Sequence, residues 1–179
     1  MASTSFIRCA LLVATVFAAG CSPAFNWREV RPDNTRLLAL LPCKPDKAEK
    51  VVPLGGRPTP LAMVGCSTGG ATFAVAVADI GDAGRAANVL SQWQALTLAN
   101  MKAAPTSEAS PLKVPNAAGT PVALFPVLLH GRGQQADGQP VEGWMAYFAQ
   151  GSQLFQVVVY ASKLPAGVAD TFFASLKLE

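Results

Sequence analysis
Short apolar runs broken by proline and glycine clusters make up most of the chain, and the period of each run separates strand from helix. Residues 37–41, 50–54, 61–66 and 72–78 read as strands, divided by Pro42 and Pro45, by Gly55-Gly56 and by Thr68-Gly69-Gly70. These breaks are too short to hold a crossover helix, so hairpins are the expected connections. Within Phe73-Ala74-Val75-Ala76-Val77-Ala78 the alternation places Phe and Val on one face and only Ala on the other. A face of methyl groups lets a neighbour approach closely, and a helix backbone is the neighbour to expect.

The period then changes. Asp82 can cap a helix extending to about Ala103, with Ala86, Val89, Leu90, Trp93, Leu96 and Met101 along one side. Trp93 and Met101 invite a reading as a ligand-stacking pair, but an aromatic on the apolar stripe of an amphipathic helix is ordinarily core. Residues 104–119 contain Pro105, Pro111 and Pro115 among Ser, Thr and Asn, which excludes a regular helix or a central strand and leaves a surface connection. Strand character returns at 122–130, 141–149 and 153–161, with Asp137-Gly138 and Gln150-Gly151-Ser152 as turns. Both faces of 144–149 and 154–160 are largely apolar, so the sheet interior should be covered on both sides. Pro165 opens a short helix with Val168, Phe172 and Leu176 on one face. Strands, a long helix, more strands and a final helix make an α+β pattern in one domain, with no internal repeat of solenoid or propeller length.

At the N-terminus Arg8 precedes an apolar stretch over residues 9–19 that small residues close. It falls well short of the roughly 20 residues a spanning helix needs and fits the core of an export signal. Ala18-Ala19-Gly20-Cys21 resembles the lipobox of bacterial lipoproteins, where small residues admit the signal peptidase and the cysteine thiol takes a diacylglycerol. A thioether needs a sulfur nucleophile, and the new amino group can be acylated in turn; two chains already suffice for stable anchoring. The resemblance implies a signal peptide over 1–20, lipidation at Cys21, a tether over 21–26 and a domain over 27–179, with the membrane as first partner. A secretory peptide with a chance cysteine after Gly20 is the alternative. The cysteine's place, where the hydrophobic run gives way to Cys21-Ser22-Pro23, favours the lipobox. Ser22, in place of the Asp that resembles an inner-membrane retention signal, points to the periplasmic face of the outer membrane, with the inner membrane as the other option.

Cys9 then leaves with the signal and Cys21 is modified, so Cys43 and Cys66 remain in an oxidising compartment and are expected to form one disulfide between neighbouring strands. Its Cα atoms should stand about 4.4 to 6.8 Å apart; two separately buried thiols are the alternative. Two cysteines and His130, with no Cys-x-x-Cys pair, do not reach the ligand count of a zinc site, so no metal or cofactor is expected. The net charge of +3 is scattered, which gives no reason to invoke nucleic acid. The densest charged stretch, Lys44-Pro45-Asp46-Lys47-Ala48-Glu49-Lys50, interleaves both signs and reads as a solvated segment rather than an anion-docking site.

The end of the chain carries a second resemblance. The hairpin Tyr147-Phe148-Ala149-Gln150-Gly151-Ser152-Gln153-Leu154-Phe155-Gln156-Val157, followed by Pro165 and a helix finishing Phe172-Phe173-Ala174-Ser175-Leu176-Lys177-Leu178, is similar to the close of PsbP-like domains in bacterial envelope proteins. Leu41-Pro42-Cys43-Lys44-Pro45 likewise resembles the first core strand and proline turn of such domains, and the whole chain looks like small lipoproteins of Gram-negative bacteria. The likeness implies an antiparallel sheet sandwiched by helices and a role as an accessory factor on a membrane complex. It carries over no functional residues, and the Cys43/Cys66 pair lies outside its general pattern.

Two catalytic motifs fit in letters only. Gly65-Cys66-Ser67-Thr68-Gly69 matches the G-x-S-x-G nucleophile elbow, and Asp79 or Asp82 with His130 completes an allowed chain order. An elbow must be followed by a helix, whereas residues 71–75 read as a strand. Gly131-Arg132-Gly133-Gln134-Gln135-Ala136 fits the dinucleotide fingerprint, but Asp137-Gly138-Gln139-Pro140 would stop the required helix within a turn, so a hairpin loop accounts for its glycines. The leading expectation is a non-enzymatic, lipid-anchored accessory or binding module facing the periplasm, with an envelope protein as candidate partner. The alternatives are an esterase-like hydrolase using Ser67 and a structural protein bound to peptidoglycan or an outer-membrane assembly.

Overall fold
The computed structural model describes residues 24–103, 108–117 and 126–179. Strands β1 (Arg28–Val30), β2 (Leu37–Leu41), β3 (Asp46–Leu54), β4 (Arg57–Thr68) and β5 (Ala71–Asp79) lead to a 3-10 turn at Ala83–Arg85 and the helix α1 (Ala86–Asn100). Then follow β6 (Glu108–Pro111), β7 (Val127–Gln134), β8 (Pro140–Gln150), β9 (Gln153–Ala161), α2 (Val168–Ala174) and β10 (Lys177–Leu178). The fold is α+β, built mostly of antiparallel sheet.

Seven strands form one antiparallel sheet in the order β3-β4-β5-β9-β8-β7-β6. A meander before α1 and a meander after it meet where β5 pairs with β9. Apolar side chains on both faces of these two central strands demand cover on both sides. On one face Ala76, Ala78, Met145, Leu154 and Val158 pack against Ala86, Val89, Leu90 and Trp93 of α1. The alanine face of β5 therefore receives the helix, as its small side chains predict. On the other face Phe73, Val75, Val77, Phe155 and Val157 pack against Leu37 and Leu41 of β2 and Phe172 of α2. Here β2 joins β1 and β10 in a separate three-stranded sheet.

Several sequence expectations are corrected. Residues 37–41 do not open a hairpin with 50–54: β2 belongs to the small sheet, and the chain changes layer through Pro42 to Pro45 before β3 begins at Asp46 opposite Gly65. Proline at both ends of that link supplies no N–H to continue a ladder. Leu96 is 51% exposed, not core. Four residues on from Trp93 lies Thr97, which takes the inward place because 3.6 residues per turn carries the stripe there. Gly131 and Gly133 lie inside β7 rather than in a loop, and the strand of which 122–130 was the expectation begins, within the described residues, at Val127. The last helix starts at Val168, after a turn in which Val168 N–H donates to Pro165 C=O, and ends at Ala174, so Lys177 and Leu178 belong to β10 and not to the helix. Residues 104–107 and 118–125 lie outside the described residues, and so do the proposed signal and Cys21. Of the expected tether at 21–26, residues 21–23 lie outside the described residues, while Thr68 Oγ1 donates to Ala24 C=O at 2.7 Å and Asn26 N–H donates to Pro42 C=O at 2.7 Å.

Candidate functional site
A cleft of about 670 Å3 lies between the C-terminal half of α1 and the sheet. Trp93, Thr97, Asn100 and Met101 form its helix wall; Thr72 of β5, Val141 of β8, and Gln156 and Tyr160 of β9 form its floor. Gln134, Gln135 and Ala136 close one side, and Gly70 and Ser162 stand at the end of the sheet. Among the described residues, none that lines it carries a formal charge.

Close approach of backbones sets the cleft's shape. The end of α1 descends onto β7 and β8 because Gly133 and Gly143 face it without side chains. A Cβ on Gly133 would lie 2.1 Å from the Met101 carbonyl oxygen, and one on Gly143 would lie 2.6 Å from Met101 Cε. The Met101 carbonyl accepts from Gln134 N–H at 2.6 Å, which satisfies one of the orphan carbonyls at the helix end. These glycines serve helix-to-sheet contact and not phosphate binding.

Beside this contact the interior is polar. Gln156 Nε2 donates to Thr97 Oγ1 at 2.8 Å and to the Tyr147 hydroxyl at 2.9 Å, and Thr97 Oγ1 donates to the Trp93 carbonyl at 2.9 Å. Trp93 meets Tyr147 edge-on at 6.4 Å between ring centres. Burial raises the Tyr147 pKa above its ordinary value, with hydrogen bonds from Thr97 and Gln156 pulling the other way, and burial raises that of Tyr160 strongly. Both phenols stay neutral through the physiological range. The arrangement is a preformed set of hydroxyl and amide groups beside an aromatic wall. It supplies hydrogen bonds in both senses.

The other predicted residues lie elsewhere. Cys43 and Cys66 stand at disulfide distance, with Cα atoms 5.9 Å apart. They are not on neighbouring strands: Cys66 is on β4, while Cys43 lies in the link from β2 to β3, so the pair ties the change of layer to the main sheet. Ser67 is exposed on β4, its Oγ 2.9 Å from Thr72 Oγ1. His130 is four strands away in the sheet order, about 19 Å at ordinary strand spacing, and stacks on Trp144, which packs on the opposite core. Asp79 and Asp82 accept from the N–H groups of Gly81 and Gly84 in the turn before α1. The elbow motif is thus followed by β5, and its Ser, Asp and His are not brought together. His130 instead lies 3.4 Å from Glu142, which also accepts from Arg132 Nε at 3.2 Å.

The cleft was missed in sequence because its residues read individually as core or surface. Two signals were present: Trp93 and Met101, set aside as core of an amphipathic helix, both stand in the cleft wall, and Gln156 interrupts the otherwise apolar Leu154-Phe155-Gln156-Val157-Val158-Val159. A lone amide amid such a run must find buried partners. Among the described residues no group of three or more His, Cys, Asp or Glu is placed to hold a metal, and no helix is long and apolar enough to cross a membrane. Comparison with families of known proteins and with curated proteins finds no match to this chain.

Proposed function
We propose that the chain is a non-enzymatic binding module, held by lipid on Cys21 at the periplasmic face of the outer membrane, and that the cleft beneath α1 is its ligand site. The carrying observation is a cleft of about 670 Å3, within the usual size of small-molecule sites, whose lining has no charge among the described residues. A charged ligand would lose its hydration there without gaining a counter-ion. An uncharged ligand rich in hydroxyl or amide groups, such as a neutral saccharide segment of the envelope, can exchange hydrogen bonds with Asn100, Gln134, Gln135 and Ser162 against the rings of Trp93 and Tyr160. Support for the tether comes from Ala18-Ala19-Gly20-Cys21, and the likeness to PsbP-like domains is compatible with a sheet covered on both faces.

Tryptophan fluorescence of the full chain in detergent tests this reading, with neutral N-acetylated oligosaccharides as probe and sulfated ones as control. A saturable change with the neutral probe, lost in Gln156→Leu and absent with the sulfated probe, is the expected result. Equal response to both, or to neither, removes the ligand assignment. Labelled palmitate entering the protein but not its Cys21→Ala variant is expected for the tether; incorporation into the variant would refute it. Fluorophosphonate labelling that disappears in Ser67→Ala would replace the binding module with a hydrolase.

A further inference from the structure
β3 is one edge of the seven-stranded sheet. Its residues from Asp46 to Val51 are all exposed, and Val51 is 62% exposed, an unusual position for a large apolar side chain. Long open edges are normally shortened, bulged, covered or given charges and proline to prevent pairing, and the charges of β3 are of both signs, so they repel a second strand in some registers and attract it in others. β3 keeps nine residues in unbroken register with β4. Its hairpin closes on Leu54 opposite Arg57 through Gly55-Gly56, both at positive φ, 59° and 77°. In a two-residue hairpin of this type the closing pair exchanges main-chain hydrogen bonds, and such pairs alternate along the strands. Lys50, Ala48 and Asp46 therefore bond inward to β4, while Val51, Glu49 and Lys47 turn their N–H and C=O groups outward.

We propose that this edge pairs antiparallel with the same edge of a second copy of the chain, about a two-fold axis through Ala48. That register sets Asp46 against Lys50, Lys47 against Glu49 and Val51 against Pro45, so each charge meets its opposite and the exposed valine is covered. Moving the axis by one residue sets Lys47 on Lys47 or Glu49 on Glu49, and moving it to Lys50 sets Lys50 on its own copy. Directly opposed like charges destabilise a strand pair, so among these centres Ala48 alone is free of them. Lys47 and Glu49 of the two copies would exchange about four main-chain hydrogen bonds. The axis stands normal to the sheet, which leaves both α1 helices on one side. Phe25 and Trp27 pack against Phe73 on the other side, so the two N-terminal segments leave together. This pairing does not depend on the ligand reading, and on the tether reading both lipids reach one bilayer.

The test uses the full chain in membranes and in detergent. In this register the two Ala48 Cα atoms lie about 4.5 Å apart as a non-hydrogen-bonded pair, within disulfide reach. Ala48→Cys should give a covalent dimer on mild oxidation, read by non-reducing electrophoresis and intact mass. Lys50→Cys should stay monomeric, because its two sulfurs would be about 13 Å apart along the strands. In sedimentation, Lys50→Asp should weaken the dimer about tenfold by opposing Asp46, and adding Asp46→Lys should restore it. That pair is chosen because Lys47 already contacts Asp33 at 2.7 Å. A monomer at all concentrations with no Ala48→Cys crosslink would overturn the proposal, as would equal crosslinking from Lys50→Cys, failure of the charge swap to rescue, or crosslinking of Ala48→Cys to a different protein.

Discussion

Toward α2 and the small sheet, the seven-stranded sheet presents Phe73, Val75, Val77, Phe148, Phe155 and Val157, closed by Leu37, Leu41, Phe172 and Leu178. Toward α1 it presents alanines, Met145 and Leu154, but also Tyr147, Tyr160 and Gln156. The first face is held by area and shape. Phe73 alone meets Phe172 at 5.4 Å and both Phe25 and Trp27 at 6.4 Å between ring centres, each near a right angle. The second face combines close backbone approach with a hydrogen-bonded cluster, and its helix does not fill the space above β5, β8 and β9. Stability is concentrated on one side of the sheet and accessible chemistry on the other.

The two faces differ most at Phe73, which is fully buried. Phe73→Ala should cost about 3 to 5 kcal/mol in urea unfolding, through lost transfer energy and the cavity left behind. It should also loosen residues 24–27, whose two rings rest on it. A loss below about 1 kcal/mol would show that this face is not the main store of stability. Next in size is Cys66→Ser. The pair spans 23 residues, and restricting that loop in the unfolded chain is worth about 3 kcal/mol in the chain-entropy model. Calorimetry with and without reductant should give the same loss for the parent as for the variant under oxidising conditions, with far-UV circular dichroism unchanged.

On the α1 face the sharpest single change is Gly133→Ala. Its new Cβ would meet a carbonyl oxygen rather than a flexible side chain, so the helix end must lift. We expect a cost of about 1 to 3 kcal/mol, in the range of overpacked sites. Faster amide exchange at Gln134, whose N–H bonds to Met101, should accompany it. Unchanged exchange there would mean that the glycine does not set the approach.

Periodicity made the layers legible. The alternation through residues 73–78 anticipated both the helix on the alanine face and the aromatic core on the other. The apolar runs at 144–149 and 154–160 anticipated two-sided cover. What it could not reveal was which segment supplies that cover. Leu37-Leu38-Ala39-Leu40-Leu41 looks the same whether it enters the main sheet or caps it from a second sheet, and only the three-dimensional change of layer at Pro42 decides. β1 and β10 are three and two residues long, too short to leave a period. The cleft was illegible for a related reason: Thr97, Gln134, Gln156 and Tyr160 come from three elements, and their meeting depends on register. Gly133 and Gly143 were visible as glycines, but their purpose lay in the distant Met101.

The smallest effect under neutral conditions is the most selective. The chain contains two tyrosines, and both Tyr147 and Tyr160 have pKa values raised by burial on the α1 face. In the unfolded chain each titrates near the ordinary value of about 10. Above that pH the unfolded state has released protons that the folded state still holds, so stability must fall as pH rises. Below it both states are protonated and the contribution is fully present. Phenolate absorbance should therefore stay absent past pH 10 and then appear together with unfolding, rather than titrating in the native protein. Tyr147→Phe should lose the hydrogen bond from Gln156 at neutral pH, costing on the order of 1 kcal/mol. Combined with Tyr160→Phe it should also remove the tyrosine share of the alkaline slope. Phe73→Ala, on the opposite face, should lower the whole curve and leave that slope intact. Phenolate appearing near pH 10 while the fold persists would mean that the cleft is wetter than its packing implies.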